Sequence, residues 1–254
     1  MSMFDLSGRV AIVTGGNGGI GLAMAEAIAG AGASIMLAGR NAKKADAALT
    51  QIRGRGAKAM FHETDVADAQ ACKALVETTA KTFGRVDILV NNAGTTVRRQ
   101  PQDLAVEDWH KVIETNLTGA FVCAQAAYPH MLKAGGGKVI NIGSMLSIFG
   151  AAYAVAYGAS KGGIVQMTKS LAVAWAKDNI QVNAVLPGWI DTDLTRQARQ
   201  EVAGLHERVL ARTPAQRWGS PSDFAGIALF LASKASDFVT GTAIPIDGGY
   251  SSLG

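Results

Sequence analysis

Two cysteines, Cys72 and Cys123, are all the thiol in this chain of 254 residues. They lie far apart, with no Cys-x-x-Cys pair and no histidines at ligand spacing, which argues against a disulfide framework and against a zinc site. Both read as buried thiols in a reducing compartment. Charge is sparse as well: 17% of the residues are charged, and the formal excess is +4. No Lys/Arg block and no basic stripe interleaved with aromatics is present, so nothing points to nucleic acid, although the sign suits an anionic cofactor or substrate. Long apolar runs are missing too. The most apolar segment, residues 146–159, is too short to span a bilayer and is broken by Gly150, Tyr153, Tyr157 and Gly158. The first residues, Met-Ser-Met-Phe-Asp-Leu-Ser-Gly-Arg, carry an acid and no basic segment before an apolar core, unlike a secretory signal. The expectation is a soluble cytoplasmic protein that binds a small molecule, with no metal, membrane or nucleic-acid partner.

What the chain has in quantity is apolar residues, 48%, and glycine, 30 residues, a composition of compact enzymes rich in tight turns. These residues are ordered into a repeating unit. Residues 9–14, Arg-Val-Ala-Ile-Val-Thr, form a strand pattern that stops at Gly-Gly-Asn-Gly-Gly-Ile-Gly (15–21) and runs into a helical stripe of Ile20, Met24, Ala27, Ile28 and Ala31. Strand, glycine turn and helix together present bare amides at a positive helix end, where a pyrophosphate can approach. Two glycine frames fit, Gly16-x-Gly18-x-x-Gly21 and Gly15-x-x-x-Gly19-x-Gly21. The next strand, residues 34–38, ends in Gly39-Arg40-Asn41, without the acid that would hold adenosine ribose hydroxyls. Arg40 there can pair with a 2′-phosphate, which favours NADP over NAD; otherwise it stacks on adenine or faces solvent.

The alternation continues with a helix over 41–53, a strand over 57–62, and a helix over 68–83. Asp65, just past a strand end, either accepts from an adenine amino group or caps the following turn. The strand at 86–90 ends in Asn91-Asn92-Ala93-Gly94, small and amide residues that suit close cofactor approach or a plain turn. A long helix over 106–132 carries Asn116-Leu-Thr-Gly119 in its middle, poor interior residues that mark a distorted turn or a solvent face. A strand over 137–143 leads to Ser144, and the next helix places Tyr157 and Lys161, four residues apart, on one face. An ammonium near a phenol favours phenolate, and a serine on the adjoining loop can hydrogen-bond a substrate oxygen. A strand over 180–186 closes at Pro187-Gly188. Residues 189–219 form an Arg-rich, helix-prone excursion, a lid or a solvated helix pair, before a last helix (221–232) and strand (242–246). Glycine 15, Asp65, residues 91–94, Ser144 and Pro187-Gly188 all follow strand ends. In an open parallel sheet those ends share the edge that holds the ligand crevice.

With these residues in view, the chain resembles the short-chain dehydrogenase/reductase family over essentially its whole length. Thr14-Gly-Gly-Asn-Gly-Gly-Ile-Gly21 matches the family's Thr-Gly-x-x-x-Gly-x-Gly, Asn91-Asn-Ala-Gly94 its Asn-Asn-Ala-Gly, and Asn116, Ser144, Tyr157 and Lys161 its catalytic tetrad. The resemblance implies an α/β, Rossmann-like, doubly wound sheet of seven mostly parallel strands with helices on both faces, in a single catalytic domain. It implies hydride transfer between NAD(P) and a secondary alcohol or ketone, with Tyr157 as general acid/base, Ser144 orienting the substrate oxygen, Lys161 binding nicotinamide ribose and lowering the Tyr157 pKa, and Asn116 holding a relay water. The cofactor set it implies comprises Gly15, Asn17, Gly19, Ile20, Gly21, Arg40, Asn41, Asp65, Val66, Asn92, Ala93, Gly94, Tyr157, Lys161, Pro187, Gly188, Ile190 and Thr192. Members are usually homotetramers. Residues 141–150, 185–193 and 246–250 look most like the gluconate and deoxygluconate dehydrogenases, which makes a sugar acid or polyol the expected substrate. Arg98 or Arg99 could grip its carboxylate, with Met145, Trp189 and His206 as further substrate candidates. The competing readings are a 3-oxoacyl thioester reductase, whose arginines would meet an acidic carrier protein, and a nucleotide sensor without turnover; the latter would not need the tetrad.

Overall fold

Short Val-, Ile- and Ala-rich runs, apolar on both faces, become seven strands: β1 (Val10–Thr14), β2 (Ser34–Gly39), β3 (Ala59–Glu63), β4 (Ile88–Asn91), β5 (Gly137–Ile142), β6 (Ile180–Pro187) and β7 (Ala243–Ile246). The computed structural model describes residues 2–253. The strands form one sheet in the order β3-β2-β1-β4-β5-β6-β7, every neighbouring pair parallel. The chain winds outward from β1 to β3, then restarts beside β1 at β4. Crossovers therefore leave β1 and β4 in opposite directions and open a crevice above their carboxyl ends. The third strand starts at Ala59 rather than at residue 57.

Side-chain alternation along each strand splits the core in two. Ala11 and Val13 of β1 face one layer, with Met24 and Ile28 of α1 (Gly19–Gly30), Ile52 of α2 (Ala42–Arg53) and Leu231 of α9 (Ala225–Ala232). Ile12 faces the other, with Leu75 of α3 (Ala69–Phe83), Met131 of α5 (Gly119–Lys133) and Ala172 of α6 (Val155–Trp175). Cys72 and Cys123 are buried free thiols in this second layer, as their isolation in sequence implies. Helix starts follow local chemistry: the Asp68 carboxylate accepts from the amides of Gln70 and Ala71 to begin α3, a cap worth about 1 kcal/mol. The expected long helix over 106–132 is interrupted. Helix α4 (Val106–Ile113) passes into one π turn, Glu114–Thr118, before α5, and Asn116 sits in that turn. Asparagine and glycine are weak helix formers, so the wider turn falls where the α-ladder is weakest.

Register places Thr14, Asn91 and Asn141 in one row across β1, β4 and β5. The Asn91 amide donates to Asn141 Oδ1 (2.9 Å) and to the Ala120 carbonyl (3.1 Å), and the Asn141 amide donates to Thr168 Oγ1 (2.9 Å). This buried polar seam ties the sheet to α5 and α6, the latter the helix that carries Tyr157 and Lys161. It fixes the height at which those two side chains meet the strand ends. Among the described residues no helix is long and apolar enough to cross a membrane, and no cluster of His, Cys, Asp or Glu is arranged to hold a metal.

Candidate active site

The strand ends open into a cleft of about 850 Å³ lined from one side by the glycine turn and from the other by the Ser144 loop and α6. The turn is shaped by hydrogen bonds from β4. Thr14 Oγ1 accepts from the amides of Asn92 (3.0 Å) and Ala93 (3.1 Å), and the Asn92 side chain donates to the carbonyls of Thr14 and Gly15 (3.0 Å each). A Cβ on Gly21 would lie 2.4 Å from Asn92 Nδ2, and Gly15 holds φ +62°, so both positions require glycine. Helix α1 then begins with no side-chain cap and no acid in its first turn. Its first residues, Gly19 and Ile20, line the cleft with no carboxylate in their own turn, which fits a pyrophosphate.

Opposite, Ser144 closes β5. Its hydroxyl accepts from the Leu146 amide (3.1 Å) while Ser147 Oγ accepts from the Ser144 amide (3.1 Å) and donates to the Lys161 carbonyl (2.7 Å). Ser147 thus fastens the Ser144 loop to α6. Lys161 is 3% exposed; its Nζ donates to the Ile142 carbonyl (2.7 Å) and lies 5.7 Å from the centre of the Tyr157 ring. Burial lowers the Lys161 pKa from 10.5 to about 8. Tyr157 departs from expectation: burial raises its phenol above the ordinary value, and the Ser144 hydroxyl and the Arg98 charge offset only part of that rise. Lys161, 5.7 Å from the ring centre, therefore does not bring the phenol down here; burial sets the direction for both groups. Asn116, 1% exposed, is below this wall. Its side chain accepts from the Thr95 amide (2.7 Å) and donates to the Thr95 carbonyl (2.9 Å) and Ser160 Oγ (3.0 Å).

The cleft brings together Gly15, Asn17, Gly19, Ile20, Asn92, Ala93, Gly94, Ser144, Met145, Tyr157, Lys161, Pro187, Gly188, Trp189, Ile190 and Thr192. Gly21 and Asn116 lie beneath its surface as supports. Asn41 caps α2 by accepting from the Lys44 amide (3.0 Å), and its carbonyl accepts from the Asn17 side chain (3.2 Å). Asp65 accepts from the Ala67 amide (3.0 Å), the turn-capping alternative, and its other oxygen lies 3.7 Å from Arg40, whose side chain is 68% exposed. Arg40, Asn41, Asp65 and Val66 stand outside the cleft, toward the outer strands.

Three substrate candidates change. Arg99 does not line the cleft; among the described residues its guanidinium bonds only the Arg98 carbonyl, and its backbone is pinned to the Tyr153 carbonyl. His206 turns away, stacked on Trp218 and accepting from its Nε1 (3.1 Å). Arg98 does line the cleft, but it spends donors on Glu201 (2.8 Å) and the Leu194 carbonyl (3.2 Å). Both partners belong to α7 (Asp193–Glu201), in the excursion after β6. That segment is closed on itself. The Asp191 amide donates to the Gly219 carbonyl (2.8 Å) and the Gly219 amide to the Trp189 carbonyl (2.9 Å). Ala198, Leu205 and Val209 of α7 and α8 (Leu205–Arg212) pack with Trp189 and Trp218 in a small core of their own. Lys44 Nζ bonds Asp193 (2.9 Å) across the cleft from α2. Missing from the sequence reading were Ser147 and the Lys44–Asp193 pair. The Ser144-x-x-Ser147 spacing of a capping box could have revealed the first; no local signal encodes the second.

A parallel doubly wound sheet with a phosphate-ready helix end, facing a Ser, Tyr and Lys on one wall, defines a nicotinamide-nucleotide-dependent oxidoreductase. Comparison with known proteins makes this specific. Residues 15–251 match a family model described as enoyl-(acyl carrier protein) reductase. The 2-dehydro-3-deoxy-D-gluconate 5-dehydrogenase of Escherichia coli (strain K12) is 41% identical over 251 residues, covering 98% of each chain. The cis-4-hydroxycyclohexanecarboxylate dehydrogenase of Sinomonas cyclohexanicum is 40% identical, covering 96% of this chain and 97% of that one. A crystal structure of a gluconate 5-dehydrogenase from Burkholderia cenocepacia J2315, in complex with NADP and tartrate, superposes with a TM-score of 0.93 at 40% identity over 98% of both chains. The chain belongs to the short-chain dehydrogenase/reductase family, and it is an oxidoreductase acting on CH–OH groups.

Proposed function

We propose that this enzyme interconverts a secondary alcohol and a ketone on a hydroxy acid of the sugar-acid type, with NADP as the preferred cofactor. The supporting observation is the placement of Ser144, Tyr157 and Lys161 on one cleft wall opposite the uncapped end of α1. The named relatives have in common a substrate that carries a carboxylate and a ring or chain hydroxyl. Bound NAD(P) supplies the hydride acceptor or donor; the residues supply the rest. Tyr157 moves the proton: in reduction its O–H protonates the nascent alkoxide, and in oxidation the phenolate takes the proton from the substrate hydroxyl. Ser144 fixes the substrate oxygen with a second hydrogen bond. Lys161 holds the cofactor ribose, its ammonium fixed by the Ile142 carbonyl. Asn116, in its π turn and locked to Thr95 and Ser160, keeps the backbone open for a relay water.

Arg40, exposed and only loosely paired, binds the adenosine 2′-phosphate, since β2 ends without an acid. Residues 189–219, closed on themselves with their own small core, form a substrate lid on a single catalytic domain. Exposed apolar residues on α5 and α6, Phe121 (40%), Leu132 (47%) and Val173 (84%), suit burial between copies in a homotetramer, which light scattering would test.

The experiment is a panel of sugar acids, matched polyols, hydroxycyclohexane carboxylates and 3-oxoacyl esters, assayed by nicotinamide absorbance with NADP and NAD. Turnover of the acids with NADP is expected. Turnover of 3-oxoacyl esters alone would replace the sugar-acid reading, and an equal loss of NADP and NAD affinity in Arg40→Ala would remove Arg40 as the phosphate reader.

A further inference from the structure

Arg212 is the last residue of α8 and lines the same cleft as Ser144 and Tyr157. Its guanidinium carbon lies 4.7 Å from the centre of the Phe149 ring and 4.5 Å from that of Tyr250, and the two rings meet edge to face at 6.2 Å. Phe149 belongs to the loop that carries Ser144, where its amide donates to the Met145 carbonyl (2.9 Å). Tyr250 follows β7 and packs with Met145 and Phe149. Three distant segments thus meet at Arg212, on the Ser144 side of the cleft.

This contact uses the charge of Arg212 and none of its five N–H donors. Among the described residues its guanidinium has neither a hydrogen bond nor an ion pair. The other cleft-lining cations are spent: Lys44 on Asp193, Arg98 on Glu201, Arg196 on Asp191, Arg208 on the Ala203 carbonyl and Lys161 on the Ile142 carbonyl. The cleft-lining acids are taken as well, Asp193 by Lys44 and Asp191 by Arg196 and Arg199. A half-buried guanidinium with free donors and no local counter-charge calls for a planar anion, and a carboxylate fits its fork.

We propose that Arg212 is the carboxylate receptor of this active site, and that it selects hydroxy acids whose carbinol carbon reaches Ser144 and Tyr157 while the acid group lies against α8. The proposal rests on the hydroxy-acid reading above and adds the residue that enforces it. It also assigns Arg98 a different task, holding the lid. Phe149 and Tyr250 fix the guanidinium beforehand, so little side-chain freedom is lost on binding.

The test compares the wild type with Arg212→Gln, Arg212→Lys and Arg98→Gln, all saturated with NADP, on D-gluconate and on its neutral counterpart D-glucitol. Arg212→Gln should raise KM for gluconate by roughly 10- to 100-fold, the range of a charge-assisted pair, and lower the gluconate-over-glucitol preference by at least about tenfold. Arg212→Lys should recover part of that preference. Equal losses on both substrates would show a purely structural clasp and overturn the assignment. So would loss of the preference in Arg98→Gln with its retention in Arg212→Gln. Either result leaves the hydroxy-acid reading standing. Wild-type turnover of neutral alcohols with none of any hydroxy acid would overturn that reading itself, and with it the receptor.

Discussion

The two sides of the cleft are held by different physics. Its floor, formed by β4, β5 and α6, rests on uncharged hydrogen bonds that are buried or partly buried: Asn91 to Asn141, Asn141 to Thr168, Asn116 to Thr95 and Ser160, Ser147 to Ser144 and Lys161. Its roof, residues 189–219, carries ion pairs with exposed partners: Lys44 with Asp193 and Arg98 with Glu201 tie it to the rest of the chain, and Asp191 with Arg196 and Arg199 braces it internally. An unmade buried hydrogen bond costs the full desolvation of its group, whereas a surface pair is screened by salt and contributes little. Ser144, Tyr157 and Lys161 thus stand on the side held by the costlier contacts, opposite the side held by screened ones.

The largest test of this division is Tyr157→Phe, which should lower turnover by about 10²- to 10⁴-fold while NADP binding, followed by fluorescence titration, persists. Retained turnover would remove the floor's claim to the proton transfer. Ser147→Ala should follow, with kcat/KM down roughly tenfold and stability down by about 1–3 kcal/mol in denaturant unfolding, because the Ser144 amide and Lys161 carbonyl lose a partner. A surface-like effect near zero would erase the contrast.

Lys161 offers a pH test. Its folded pKa is depressed to about 8, whereas the unfolded chain holds that proton up to 10.5. Between those values the unfolded state binds more protons, so stability must rise with pH across that window. Compared with Lys161→Met, the wild type should gain thermal stability from pH 8 to 10.5 and show no such relative gain below pH 7. Parallel curves would mean that Lys161 is as well solvated as a roof residue. The smallest effect belongs to the roof. Glu201→Gln should change KM less than about threefold at low salt, and that difference should vanish at 0.5 M NaCl. A salt-independent change of tenfold or more would put Glu201 among the floor's rigid supports.

Much of the floor, and the glycine turn beside it, could be read from sequence because their signals are local. Gly15 to Gly21, Asn91 to Gly94 and the Tyr157–Lys161 spacing each encode a turn or a helix face within a few residues. Parallel βα alternation then brings all their strand ends to one edge. Even the π turn was foreshadowed by Asn116 and Gly119 in a helical run. The roof could not be read this way. Arg98 and Arg99 are neighbours in sequence, yet one enters the cleft and the other leaves it, its backbone pinned to Tyr153. His206 was a reasonable candidate by residue type, and stacking on Trp218 turned it outward.

The sequence by itself determined the order of strands and helices and the glycine turn, since short-range sterics and hydrophobic periodicity suffice for those, and its motifs named the candidate reacting groups. Only the tertiary structure decided that burial raises the Tyr157 phenol and lowers the Lys161 amine, that Arg98 is spent on α7, and that, among the described residues, Arg212 stands unpaired between Phe149 and Tyr250. Solvation and counter-charge depend on groups far apart along the chain, and they exist as definite quantities only once those groups have packed together.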